Sequence, residues 1–189
     1  MLTGRMCRQR HSPTDMSVPG PNIRRADSSD ARRLAELGAV TFTQTFGHLY
    51  SDADLQTFLS QSRSMERYAA MLDNPAIGIW LAELPGAAPI GYAVVGACKL
   101  PVPDLEPTAG EVQELYVRAG HQGLQLGTRL LNVALEWLQM RGCRPLYIGV
   151  WSENFGAQRF YGRLGFTKIG EYGFPVGDHI DQEFILRRA

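Results

Sequence analysis

The plainest chemical signal lies in one short run, "HQGLQLGTRLL", residues 121 to 131. Gly123 and Gly127 stand four apart where a strand-like segment gives way to a helical one. Glycine inside a helix costs about 0.5–1 kcal/mol relative to alanine, so two of them at a helix start require a reason. The first N–H groups of a helix have no internal partner and carry the positive end of the helix dipole. A bare helix start is therefore an anion site, and missing side chains let a phosphate touch the backbone. Neither GxxxxGK[ST] nor GxGxxG is present, which removes support for kinase-like and dinucleotide readings. His11, His48, His121 and His179 form no HxxxH or HExxH pair, so no metal is expected. Cys7, Cys98 and Cys143 are odd in number, far apart and without CxxC spacing. That argues against a disulfide framework or a zinc site and for a reducing cytoplasm.

The elements that must position this run are legible from periodicity. Residues 1–21 hold Pro13, Pro19, Gly20 and Pro21 without periodicity, and are expected to be a flexible leader or an upstream extension of a gene starting at Met16. Residues 22–189 are expected to form one domain. "NIRRA" reads as a short strand. "SSDARRLAELGAVTFTQTF" places Ala31, Leu34, Leu37 and Val40 or Thr41 at helical spacing, with Ser28 or Ser29 as its N-cap. "SDADLQTFLSQS" and "SMERYAAMLDNP" read as two shorter helices. "AIGIWLAEL" and "IGYAVVGACKL" flank the turn cluster "PGAAP" as a hairpin, and "EVQELYV" is a further strand.

"GLQLGTRLLNVALEWLQMRG" is the strongest helix, with a stripe of Leu126, Leu130, Ala134 and Leu138 widened by Leu131 and Leu135. "PLYIGVW" is a buried strand. "SENFGAQRFYGRLG" is a short helix with Ala157, Phe160, Tyr161 and Leu164 on one face, and two strands close the chain. This pattern predicts an α/β (α+β) domain, a mixed sheet with helices on its faces.

Composition narrows the partners. Lys plus Arg and Asp plus Glu are 19 each, and zero net charge argues against nucleic-acid binding by phosphate neutralisation. No apolar run approaches the roughly 20 residues that span a bilayer, so no membrane association is expected.

"LYVRAGHQGLQLGTRLL" resembles the acetyl-CoA-binding segment of the GNAT superfamily of N-acetyltransferases, whose pattern is [Q/R]-x-x-G-x-[G/A] after a strand. Gln122 fills the first place and Gly127 the last; Gln125 replaces the central glycine. Further on, "VWSENFGAQRFYGRLGF" resembles the second GNAT hallmark, strand–Asn–helix–FY–x–x–x–GF. The tail "GEYGFPVGDHIDQEFILRR" and the early "TFTQTFGHLYSDADLQTFL" look most like the bacterial spermidine/spermine N-acetyltransferase branch.

The resemblance implies a mostly antiparallel central sheet of six to seven strands with a splayed central strand. It implies acetyl transfer from acetyl-CoA to a primary amine by direct attack in a ternary complex, the acceptor being a small amine such as a polyamine. A peptide or protein amine is the alternative acceptor, and a non-catalytic acyl-CoA sensor the alternative class. Leu115, Tyr116 and Val117 would pair with the pantetheine arm through their backbone. Gln122, Gly123, Leu124, Gln125, Leu126, Gly127 and Thr128 would wrap the pyrophosphate, and Asn154 would hydrogen-bond the coenzyme. Tyr161 would protonate the departing thiolate.

A general base in related enzymes is often a Glu on the splayed strand; Gln113 stands at one such place here. Glu111, on the same face by period-two alternation, is the candidate base, with Glu114 expected on the opposite face. Asp52, Asp54, Asp178, Asp181 and Glu183 could draw a polycation or serve as caps and surface charges, and His179 is a further proton acceptor near the last loop. An edge strand near the C-terminus could support a homodimer.

Overall fold

A computed structural model describes residues 20–123 and 125–189. The proposed leader thus lies outside the described residues apart from Gly20 and Pro21. The chain runs β1 (Asn22–Arg25), α1 (Ala31–Phe46), α2 (Asp52–Ser62), α3 (Met65–Leu72), β2 (Gly78–Glu83), β3 (Pro89–Ala97), β4 (Gly110–Val117), α4 (Leu126–Met140), β5 (Leu146–Trp151), α5 (Phe155–Arg163), β6 (Thr167–Val176) and β7 (His179–Arg188). The strands form a seven-stranded sheet in the order β1-β2-β3-β4-β5-β7-β6. Every pairing is antiparallel except β4 with β5.

Alternation along the strands splits the core between the two faces. Ala93, Val95, Val112, Ile148 and Val150 turn toward α4 and α5, where Leu126, Leu130, Leu131, Ala134, Leu135 and Leu138 form the stripe read from the sequence. Burying each such leucine stabilises the domain by about 1.5–3 kcal/mol, so this stripe fixes how α4 lies on the sheet. Leu81, Tyr92 and Val94 turn the other way, against Leu34 and Leu37 of α1 and Tyr68 and Met71 of α3. Thr41 rather than Val40 continues the inward stripe of α1, since Val40 is exposed.

The start of α1 differs from the serine cap expected. Asp27 accepts a bond from the Ser29 amide and forms a capping box with Asp30, across a short 3-10 turn at Ser28–Asp30. An aspartate carboxylate is the better anion for a helix N-terminus. Asp30 also accepts from both terminal guanidinium nitrogens of Arg24, at 2.6 and 2.7 Å, which ties β1 to the helix start.

Candidate active site

The sheet opens at its centre. β4 and β5 pair only over Gly110–Leu146, Glu111–Tyr147 and Val112–Ile148. Beyond that, β4 stays on β3 (Leu115 opposite Ala93, Tyr116 opposite Tyr92, Val117 opposite Gly91), while β5 stays on β7. The splayed strand is therefore present. Among the described residues the main chain of residues 113–117 has no strand partner on its open edge. The side chains explain why β4 holds its place regardless: Leu115 and Val117 pack under α4, and Tyr116 stacks on Tyr92 with centroids 5.6 Å apart.

Beyond Val117 the chain turns toward α4. Gly120 and Gly123 take φ of 84° and 82°, the left-handed region where glycine is cheap. Gln125, which stands where the family pattern has glycine, also adopts a left-handed φ of 57° and occupies the N-cap position of α4 without a side-chain cap bond. Because α4 begins at Leu126, Gly123 lies in the loop rather than in the helix; its role is conformational. Leu124 lies outside the described residues. Gln122 folds back, its Nε2 donating to the Val117 carbonyl at 3.3 Å.

Gly127 is different. It sits in the first helical turn, and among the described residues outside its own helix backbone and chain neighbours a Cβ placed there would meet nothing nearer than Val117 Cγ2 at 3.9 Å. Packing within the protein does not require glycine there, so what the missing side chain keeps clear is the space outside the helix. The first bond back into α4 is from the Arg129 amide to Gln125 O at 3.0 Å. The amides of Leu126, Gly127 and Thr128 thus lie in the part of the helix that has no internal acceptors. An open strand edge leading to a bare helix start fits an extended ligand that ends in a diphosphate.

The second motif comes in on α5. Asn154 caps this helix, its Oδ1 accepting from the Ala157 amide at 3.0 Å, and its side-chain nitrogen is free to donate to another partner. Tyr161 is buried beside Phe160 and Phe166, with ring centroids 5.2 and 6.1 Å away. Burial, with smaller contributions from Tyr116 and Glu183, pushes its phenol well above the ordinary tyrosine value. Among the described residues its hydroxyl has no hydrogen-bond partner, yet the oxygen is not one of the fully enclosed unpartnered atoms, so it reaches accessible space. A buried tyrosine normally finds a partner for its hydroxyl. Here the raised pKa keeps the proton on the phenol.

The carboxylates differ from the alternation expected. The β3–β4 register slips by one residue: Val94 opposes Glu114 and Val95 opposes Val112. Gln113 is thus a bulge, and two consecutive residues share one side. Glu114 consequently lies on the same face as Glu111, not the opposite one. There it is fully buried, accepting from the Tyr68 and Tyr92 hydroxyls at 2.7 Å each and pairing with Arg67 at 2.8 Å and Arg63 at 3.6 Å. Burial alone would raise its pKa; the two arginines and two hydroxyls outweigh that and lower it. Glu114 is a structural anion joining β4 to α2 and α3.

Glu111 Oε2 accepts from the Lys99 amide at 2.7 Å, and the Leu100 amide also stabilises the carboxylate. Burial still raises its pKa overall.

The acidic residues of the acceptor side divide by role. Asp52 and Asp54 lie in the first turn of α2. Asp54 bonds the Ser51 hydroxyl and the Asp178 amide, tying α2 to the β6–β7 turn. Asp178 itself is exposed. Asp181 accepts from the Tyr50 hydroxyl and lies 3.2 Å from His179 Nε2. Glu183, read from the sequence as one charge among several, is half-buried and accepts from the Tyr172 hydroxyl. Its position relative to the open strands depends on the β5–β7 register, which carries no local sequence signal.

Residues 43–166 match the model of the acetyltransferase (GNAT) family. The chain is 27% identical over 177 residues to an uncharacterised N-acetyltransferase of Lactobacillus delbrueckii subsp. lactis, spanning 91% of this chain and 99% of that one. It is also 27% identical over 160 residues to an uncharacterised N-acetyltransferase of Mycobacterium tuberculosis strain H37Rv, spanning 85% and 97% of the two chains. In fold it matches the PaiA N-acetyltransferase of Thermoplasma acidophilum, solved in complex with coenzyme A, with a TM-score of 0.72 at 19% identity over 90% of this chain and 99% of that one. Among the described residues no helix is long and apolar enough to cross a membrane. The family match, the parted strands and the bare start of α4 agree: the chain belongs to the GNAT family, as an N-acetyltransferase with acetyl-CoA as its acetyl donor.

Proposed function

We propose that the acceptor is a small primary amine carrying further positive charge, such as a polyamine, as the resemblance to the spermidine/spermine branch implies, and that the reaction is direct attack in a ternary complex in the cytoplasm. The observation that carries the catalytic reading is the phenol of Tyr161, which has no hydrogen-bond partner among the described residues and belongs to the family's second motif. In this reading the main chain of Leu115, Tyr116 and Val117 pairs with the pantetheine arm. Gln122 to Thr128 enclose the pyrophosphate, with the amides around Gly127 as principal donors, and the side-chain nitrogen of Asn154 meets the coenzyme. These contacts bring the thioester to the gap between β4 and β5. The amine attacks from the α1–α3 side, and Tyr161 gives its proton to the leaving sulfur. Carboxylates on that side, Asp181 and Glu183 among them, favour a cationic acceptor. Glu111 lies on the correct face for proton transfer, though two backbone amides hold its carboxylate.

Thiol release from acetyl-CoA with spermidine, phenethylamine and an alanine-led peptide as acceptors tests the reading. Spermidine should turn over fastest. Tyr161→Phe should lower kcat by about 100-fold or more, the range expected for loss of a general acid, with acetyl-CoA affinity unchanged. Equal loss of turnover and affinity would make the tyrosine structural. Acetyl-CoA binding without turnover of any acceptor would leave a sensor rather than an enzyme.

A further inference from the structure

Glu183 lies on β7 opposite Trp151 of β5 and Tyr172 of β6. β5 leaves β4 after Ile148, so Gly149 is the first residue of β5 beyond the shared ladder. A Cβ at Gly149 would stand 2.8 Å from Glu183 Oε2 and 2.7 Å from the Tyr172 hydroxyl. The carboxylate therefore lies over the bare backbone of Gly149, at the point where the sheet opens. It approaches from the α1–α3 side, whereas Tyr161 belongs to the α4–α5 side. The charge of Glu183 adds to the rise in the phenol's pKa, after burial and Tyr116.

The charges around Glu183 point to a cationic ligand. Asp30 has Arg24 and Arg33, Glu114 has Arg63 and Arg67, and Glu106 has Arg187. Glu183 has no arginine or lysine partner among the described residues. The groups acting on it are Tyr172 from β6, Asp181 from its own strand and Glu111 from β4. Tyr50, Tyr116 and Tyr161 respond in turn to its charge from the α1–α2 connection, β4 and α5. Burial raises the Glu183 pKa, and the neighbouring Asp181 and Glu111 add to that, while the bond from Tyr172 opposes it. Both oxygens of Asp181 face the Tyr50 hydroxyl or the His179 ring, and Glu111 is held by backbone amides. Glu183 has one oxygen occupied by Tyr172, and its partial exposure gives a proton a route to water.

We infer that Glu183 is the catalytic base of the proposed acetyl transfer, taking a proton from the acceptor ammonium at the opening between β4 and β5. This rests on the reading of the chain as an active amine acetyltransferase. The ammonium gives one proton to the Glu183 carboxylate, and the freed nitrogen lone pair forms the C–N bond to the thioester carbonyl. The carbon–oxygen π pair moves onto oxygen and returns as the C–S bond breaks, leaving the electron pair on sulfur. Sulfur takes the phenolic proton of Tyr161. The second nitrogen proton passes to water, Tyr161 is reprotonated from water, and Glu183 releases its proton to solvent. The net products are the amide, the free thiol and one proton.

Glu183→Gln keeps an acceptor for the Tyr172 hydroxyl and removes the base. With the fastest of the three acceptors above, kcat should fall at least about 100-fold at pH 7. The acid limb of kcat/KM should vanish, and acetyl-CoA affinity by calorimetry should stay within about twofold. Tyr172→Phe removes a bond that favours the carboxylate, so the acid limb should move to higher pH with the enzyme still active. A purely structural Glu183 would not produce that shift. Full activity of Glu183→Gln, or an acid limb unmoved in Tyr172→Phe, overturns the inference while leaving the enzyme reading intact. Should Glu183→Gln fail to fold, the limb in Tyr172→Phe decides the matter. Wild-type protein that binds acetyl-CoA yet releases no thiol with any acceptor overturns the enzyme reading, and the inference with it.

Discussion

Replacing Gly127 by leucine separates protein packing from ligand binding. Gly127 occupies the first turn of α4, and among the described residues outside its own helix backbone and chain neighbours the nearest atom to its would-be Cβ is 3.9 Å away. Glycine is about 0.8–1 kcal/mol worse than alanine in a helix, and leucine is close to alanine. Gly127→Leu should therefore stabilise the ligand-free protein by about 0.5–0.8 kcal/mol, raising Tm by about 1–3 °C for a domain of this size. The same side chain projects where the diphosphate would meet the helix amides. A hydrogen bond to a charged group contributes about 1.5–3 kcal/mol, so losing one such contact weakens binding by about 10- to 100-fold. Thermal melting without ligand and calorimetry with acetyl-CoA give the two numbers on one protein sample. The reasoning requires opposite signs, a firmer fold and weaker binding. Unchanged acetyl-CoA affinity in a well-folded Gly127→Leu protein would remove the diphosphate from this helix start. A large fall in Tm would show instead that glycine serves internal packing.

Other consequences follow from charges elsewhere in the fold. Glu114→Gln leaves Arg63 and Arg67 without their buried counter-charge and should destabilise the protein by about 3–5 kcal/mol, measurable by urea unfolding. The Asp30 carboxyl is held down to about 2 by its bonds from Arg24, against an ordinary 3.8. Its contribution, on the order of 2 kcal/mol, is fully present above about pH 4 and disappears as pH falls toward 2. In Asp30→Asn, unfolding free energy should be lower at neutral pH and flatter across that acid range. Gly149→Ala should displace the Glu183 and Tyr172 side chains, lowering kcat at least about tenfold while acetyl-CoA affinity stays within about twofold, since the collision is with those two groups rather than with the coenzyme path.

How much of this was legible in the sequence depended on how local the signal was. The leucine stripe of α4, the turn cluster before β3 and the glycine stops at Gly142 and Gly165 each follow from residues close together in the chain. Both glycines take positive φ, as helix-ending glycines do. The Gln113 bulge was not legible, because it is a slip between two strands; simple alternation therefore put Glu114 on the wrong face. The start of α1 departs from the serine cap that the spacing suggests: Asp27 caps the 3-10 turn leading into the helix, and Asp30 at the N-cap of α1 makes no side-chain cap bond. Gly123 and Gly127 look equivalent in sequence, yet one shapes a loop and the other clears a surface. Glu183 could be named as an acidic residue, but its place over Gly149 arises only when β7 aligns with β5.

Amide hydrogen exchange with and without acetyl-CoA reports whether the coenzyme lies along β4 and against the start of α4. The ligand should slow exchange at the open edge of β4, residues 113–117, and at Leu126, Gly127 and Thr128, with the β6–β7 hairpin little changed. Protection confined to other parts of the sheet, or exchange unaltered at both of these segments under saturating acetyl-CoA, would contradict that placement.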